Sequence, residues 1–261
     1  MSDPRTPGQL AARLLDAERR GRLLEPLTAE NPDLSVEEAY RIQDAVIELR
    51  LEAGERVVGA KLGLTSAAKR HEMGVDEPLF GWLTDAMVLD VGQPLERASL
   101  GQPRAEPEIA FLMGSDLAGA GVGAVHVLAA TRAVAPAIEI LDSRYADYRF
   151  TLPDVVADNA SSGRFVVGGV TVPPEGMDLR LVGCVLEKDG EVVATAAGGA
   201  SLGHPAAAVA WLVRALARSG RGLRAGDVVL SGGLTTAIRI ETGDVVTARF
   251  DRLGTVEVVC R

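Results

Sequence analysis

Three glutamates carry the clearest chemical signal in this chain. Glu106 and Glu108 stand two residues apart in Glu106-Pro107-Glu108-Ile109-Ala110-Phe111-Leu112. Successive side chains alternate across a strand, so both point to one face and repel each other. Glu139 lies in Ala137-Ile138-Glu139-Ile140-Leu141, where every neighbour favours burial. A buried carboxylate must pair with a cation, meet a metal or take up a proton. If the three converge from neighbouring strands, they form an oxygen-rich site suited to Mg2+ or Mn2+, with waters or substrate oxygens completing the octahedron. The competing reading is an exposed strand face whose acids pair with Arg104, Arg144 or Arg149. Lys61 occupies the apolar stretch Val57-Val58-Gly59-Ala60-Lys61-Leu62-Gly63. Such a lysine either snorkels or forms an ion pair, or, beside an acidic metal site, faces a developing enolate.

Other motifs are weaker. Gly119-Ala120-Gly121-Val122-Gly123-Ala124 fits a dinucleotide-binding fingerprint, with Glu139 twenty residues after Gly119, and keeps a nicotinamide-dependent oxidoreductase as a remote alternative. Against it, the preceding strand carries Glu106 and Glu108 where a doubly covered parallel strand is apolar. His71, His126 and His204 are scattered and read as solvated or capping groups. Cys184 and Cys260 make neither a disulfide framework nor a zinc cluster. A Walker A spacing is absent from the sequence, and Ser231-Gly232-Gly233 lacks a His and Asp placed to serve it as a nucleophile.

The elements that must position these residues follow from hydrophobic period. Helices are predicted over 8–22 and, from the Ser35/Glu38 capping box to Gly54, over a stripe of Ala39, Ile42, Val46 and Leu49. Strands are predicted at 57–62, 106–113, 137–141, 179–187, 192–195, 245–250 and 256–259, with Lys188-Asp189-Gly190 as a hairpin turn. Short helical stretches are expected at 66–73 and 122–134, a longer helix at 205–218, and a shaped loop at 74–81. This is an α+β pattern with a mostly antiparallel, roll-like or sandwich-like β core and peripheral helices. Residues 1–56 read as a helical segment packed on a catalytic body of residues 57–261. The 261 residues carry a net charge of −9 and 4% aromatic side chains, which argues against nucleic-acid and anionic-membrane partners. Neither a signal-peptide pattern nor a membrane-spanning run is visible, so the expectation is a cytoplasmic protein.

Six ordered blocks together resemble one family. They are Ala60-Lys61-Leu62-Gly63-Leu64-Thr65-Ser66, Met73-Gly74-Val75-Asp76-Glu77-Pro78-Leu79-Phe80-Gly81, Glu106-Pro107-Glu108-Ile109-Ala110-Phe111, Ile138-Glu139-Ile140-Leu141-Asp142-Ser143-Arg144, Asp158-Asn159-Ala160-Ser161-Ser162 and Leu230-Ser231-Gly232-Gly233-Leu234-Thr235. The chain resembles the metal-dependent 2-oxopent-4-enoate hydratases and 4-oxalocrotonate decarboxylases of aromatic meta-cleavage pathways, within the fumarylacetoacetate hydrolase-like superfamily. The resemblance implies a twisted β roll, a divalent Mg2+ or Mn2+ ion on Glu106, Glu108 and Glu139, and Lys61 as catalytic residue. It places Leu64, Asp76, Leu79, Ser161 and Gly232 at the substrate, and leaves Asp142 to orient an arginine or a metal water. Leu79 and the wording of 81–87 and 148–154 look like the decarboxylase branch, which converts 2-oxohex-3-enedioate to 2-hydroxypenta-2,4-dienoate and CO2. Hydration of 2-hydroxypenta-2,4-dienoate is the alternative. The resemblance further implies a homo-oligomer and a complex with a partner hydratase.

Overall fold

The computed structural model describes residues 6–261, apart from the side chain of Glu72. Helix α1 (Pro7–Arg19) opens on a Thr6/Gln9 capping box, and α3 (Val36–Glu52) opens on the Ser35/Glu38 box that the sequence predicts. A single turn, α2 (Leu27–Glu30), separates them. The apolar stripes of α1 and α3 bury Leu10, Leu14, Ile42 and Val46 against Tyr145, Val155 and Val156. Fully buried Gln43 donates its side-chain amide to the carbonyls of Phe80 and Val156 at 3.0 and 2.9 Å, tying this helical layer to the sheet behind it.

The strands are β1 (Val57–Gly63), β2 (Leu79–Thr84), β3 (Val88–Leu89), β4 (Arg104–Met113), β5 (Thr131–Leu141), β6 (Ser162–Val167), β7 (Gly183–Lys188), β8 (Glu191–Ala197), β9 (Val228–Leu230), β10 (Ile238–Arg239), β11 (Val245–Phe250) and β12 (Gly254–Val259). Helices α4 (Ala67–Met73), α5 (Ala124–Ala130), α6 (Leu152–Ala157) and α7 (Pro205–Ala217) lie between them. The larger sheet runs β2-β1-β9-β4-β5-β6-β3, with β10 added beside β4, and the smaller runs β12-β11-β7-β8. Pairing is antiparallel except for β1 with β9 and β3 with β6. The mixed α+β, mostly antiparallel architecture is therefore the one expected. The main core fills the space between β4, β5, the inner face of the small sheet (Val246, Ala248, Val256, Val258) and the buried side of α7 (Val209, Leu212, Val213, Leu216).

Local chemistry accounts for the details. The β7–β8 hairpin turns through Asp189 (φ 54°) and Gly190 (φ 82°), two left-handed residues that match the twist of the flanking strands. Helix α5 stops at Ala130, short of the expected 134, because Thr131 already starts the long antiparallel partner of β4. The loop expected at 74–81 ends at Pro78. From Leu79 onward the chain is a fully buried strand paired to β1, with Gly63 opposite Leu79 and Leu62 opposite Phe80. The Gly119–Ala124 glycines turn between β4 and β5, which are antiparallel, so the parallel βαβ crossover that a dinucleotide fingerprint requires is not formed here. Among the described residues, no helix is long and apolar enough to cross a membrane.

Candidate metal centre and active site

The register of β4 and β5 sets Glu106 directly opposite Glu139, and the two-residue period brings Glu108 to the same face. One oxygen from each of the three carboxylates lies within 4.8 Å of the others. Glu108 and Glu139 are fully buried and Glu106 nearly so. Strand β9, inserted between β1 and β4, fixes the distance at which Lys61 faces them. Lys61, only 2% exposed, places Nζ 3.0 Å from Glu139 Oε1. The snorkelling reading of this lysine is therefore replaced by a buried ion pair.

Two further groups complete the cluster. Lys69 on α4 reaches Glu106 Oε2 with Nζ at 3.0 Å, and the Gly232 backbone N–H donates to Glu108 Oε2. The segment carrying Gly232 and Gly233 lies so close that a Cβ on Gly233 would sit 2.2 Å from the Glu106 carboxyl carbon, and one on Gly232 2.2 Å from Thr65 Oγ1. Glu108 Oε1 and both Glu139 oxygens accept no well-directed hydrogen bond. Burial, then the charges of Glu139 and Glu106, push the Glu108 carboxyl well above its ordinary range. Burial also raises Glu139, against the opposing pull of Lys61. Glu106 in turn raises the Lys69 ammonium.

With all three carboxylates ionised against two ammonium groups, the cluster carries one net negative charge in a buried site, with acceptor oxygens unsatisfied. Hard, all-oxygen donors in that state fit a divalent cation such as Mg2+ or Mn2+. Such an ion would leave the cluster with one positive charge, ready for an anionic ligand. Beside it lies a cavity of about 310 Å³ whose lining includes Lys61, Leu64, Lys69, Leu79, Glu106 and Ser161.

Residues 56–260 match the fumarylacetoacetate hydrolase C-terminal family. This chain belongs to that family. It is 42% identical to the 2-keto-4-pentenoate hydratase of Paraburkholderia xenovorans (strain LB400) over 97% of this chain and 94% of the relative. It is 41% identical to the 4-oxalocrotonate decarboxylase of Pseudomonas sp. (strain CF600) over 95% and 94%. The solved 4-oxalocrotonate decarboxylase of Pseudomonas putida G7, complexed with magnesium and adipate, superposes with a TM-score of 0.95 at 38% identity, covering 98% of this chain and 97% of that one. Hydratase and decarboxylase names thus accompany similar identities, and both describe lyases.

Within this family member, the expected site residues divide. Leu64, Leu79 and Ser161 line the cavity with Lys61 and Glu106. Leu64 and Ser161 both adopt left-handed backbone, φ 56° each, which a non-glycine residue holds only when its surroundings impose it. Gly232 stands behind the carboxylates as a donor to Glu108. Asp76 departs from expectation. It is exposed and lines a separate groove of about 800 Å³ with Tyr40 and Trp211, and the buried Leu79 forms the wall between the two spaces. Asp142 also differs: its carboxylate accepts the backbone N–H groups of Gly101 and Gln102 at 3.0 and 2.7 Å and shapes the approach to β4. The arginine partners proposed for the glutamates are otherwise engaged, Arg144 with Asp158 and Arg149 with Asp147, while Arg104 stacks on Tyr148. Sequence reasoning missed Lys69, because Ala67-Ala68-Lys69-Arg70 reads as a solvated helical face and only the fold brings it to Glu106.

Proposed function

We propose that this protein decarboxylates 2-oxohex-3-enedioate to 2-hydroxypenta-2,4-dienoate and CO2, with a divalent ion held by Glu106, Glu108 and Glu139. The ion, when bound, supplies Lewis-acid polarisation of the 2-oxo acid end of the substrate. Lys61, buried beside Glu139, holds positive charge where the dienolate oxygen develops, or delivers its proton there. Loss of the C6 carboxylate sends its bonding electrons through the conjugated system towards the C2 oxygen. Leu64, Leu79, Val155 and Ala160 give the cavity an apolar side that keeps water from the conjugated carbons. In this reading Ser161 lies along the bound substrate, Gly232 keeps Glu108 in place, and residues 1–56 pack on a catalytic body of residues 57–261.

The observation that carries the choice is Leu79. It is 2% exposed at the cavity wall, and among the described residues Glu106 is the one carboxylate in that lining. Hydration needs a proton source and a separate activated water that attacks C4, which such a wall disfavours. Hydratase names among relatives at 42% identity keep hydration of 2-hydroxypenta-2,4-dienoate as the second reading. Product analysis separates them. With Mg2+, CO2 release from 2-oxohex-3-enedioate is expected to run at least about tenfold faster than hydration of 2-hydroxypenta-2,4-dienoate, a difference of about 1.4 kcal/mol in barrier. The inverse ratio would make the protein a hydratase.

A further inference from the structure

Lys61 and Lys69 each face a carboxylate at 3.0 Å, but a third cation in the cavity lining does not. Arg104 opens β4 two residues before Glu106, on the same face and about 7 Å along the strand. Among the described residues, no carboxylate pairs with its half-buried guanidinium and no acceptor takes its N–H groups. The group is nevertheless held in place. Its central carbon lies 4.0 Å from the centroid of the Tyr148 ring, a contact that stabilises the charge without consuming the in-plane donors.

The platform under it is itself built. Tyr148 donates its hydroxyl to the Gln102 carbonyl at 3.2 Å. The Gln102 side chain donates to the carbonyls of Ser143 and Tyr145 at 2.9 and 2.6 Å and accepts the Asp147 N–H at 3.1 Å. Asp147 and Tyr148 both take left-handed backbone, φ 57° and 58°. Consecutive non-glycine residues adopt that conformation only where the surroundings impose it, and here the result is a ring under Arg104.

We propose that Arg104, held on Tyr148, anchors a carboxylate of the substrate through its forked N–H donors. A planar guanidinium matches a carboxylate in two parallel hydrogen bonds, which a lysine cannot reproduce. The inference rests on the reading of this cavity as the substrate site. Its test, however, reads equilibrium binding and does not depend on which reaction is catalysed.

The experiment is calorimetric titration of the Mg2+-loaded protein with two unreactive probes, 2-oxohexanedioate and 2-oxohexanoate, which differ only in the distal carboxylate. Arg104→Met is expected to weaken 2-oxohexanedioate by about tenfold or more, the scale of a lost charge-assisted hydrogen-bond pair. If 2-oxohexanoate is unaffected, Arg104 holds the distal carboxylate; if both probes weaken alike, it holds the one beside the oxo group. Unchanged affinity for both probes would overturn the proposal. Should Arg104→Met fail to fold, Arg104→Lys decides instead: it keeps the charge and stem but not the fork, and wild-type affinity in that variant also overturns it. A protein that proves to be a hydratase while Arg104→Met loses probe binding would refute the proposed reaction and leave this anchor standing.

Discussion

Glu139 and Arg144 are five residues apart and both buried, yet their surroundings differ in kind. Around Arg144 each charge has a directed hydrogen-bond partner, although burial still pushes the Asp158 carboxyl up to about 6. Its Nε donates to Asp158 Oδ1, Nη2 to the Asp158 carbonyl and Nη1 to the Ser162 carbonyl at 3.0 Å, while the Arg144 backbone N–H reaches Asp158 Oδ2 at 3.1 Å. Burial works against the guanidinium charge, but Asp158 and Glu18 outweigh it and hold the pKa above the ordinary arginine value. Around Glu139 the donors run short. Lys61, Lys69 and one backbone N–H serve three carboxylates, and three of the oxygens accept no directed hydrogen bond. A fold that satisfies one buried ionic cluster so fully and leaves its neighbour under-satisfied marks the second as the place where a ligand completes the structure.

The contrast predicts opposite responses to mutation. Glu108→Gln keeps the shape of the side chain but removes a ligand, so metal-dependent turnover is expected to fall by at least about a thousandfold. Because the same change relieves repulsion among the carboxylates, the melting temperature of the chelator-treated protein should not fall. A wild-type rate in this variant would break the assignment. Arg144→Met should do the reverse, costing about 3–5 kcal/mol of stability by leaving Asp158 buried and unpaired. Denaturant unfolding measures it, and a loss below about 1 kcal/mol would show that the Arg144 cluster is not structural. A smaller effect is expected for Lys61→Met. Its turnover number should drop by roughly a hundredfold while Mg2+ still binds, and steady-state kinetics with near-normal turnover would return Lys61 to a packing role.

Legibility in the sequence followed the same division. The glutamates and Lys61 could be read because each breaks an apolar strand pattern at a position whose face is set by the two-residue period. The α3 cap and the β7–β8 turn could be read because they depend on residues three apart or fewer. What was hidden depends on distant segments meeting. Lys69 approaches Glu106 from a seven-residue helix, and Gly233 leaves room for the Glu106 carboxylate from 127 positions along the chain. Strand β9 has three residues and β6 carries Arg164 at its centre, so neither shows a periodic pattern, although β9 is what spaces β1 from β4. Asp76 was hidden for the same reason: sequence proximity to Leu79 does not reveal that the strand starting at Leu79 makes that residue a wall shared by two spaces, with Asp76 on the side away from the glutamates.

Calorimetric titration of the chelator-treated protein with Mg2+, in two buffers of different ionisation enthalpy, shows whether the under-satisfied carboxylates hold a divalent ion. Glu108 is raised above its ordinary value of 4.5 in the metal-free fold. As pH climbs from 4.5 towards that raised value, the folded chain keeps a proton that the unfolded chain has lost, so this group's contribution to stability is present in acid and lost with rising pH. An ion that displaces the proton reverses the trend, and stabilisation by Mg2+ should grow with pH across the same window. One ion per chain is expected to bind, with protons released into the buffer in greater number at lower pH within that window, and no binding by Glu108→Gln is expected at the same concentrations. Mg2+ binding of equal strength to the wild type and to Glu108→Gln, without proton release, would contradict the metal site.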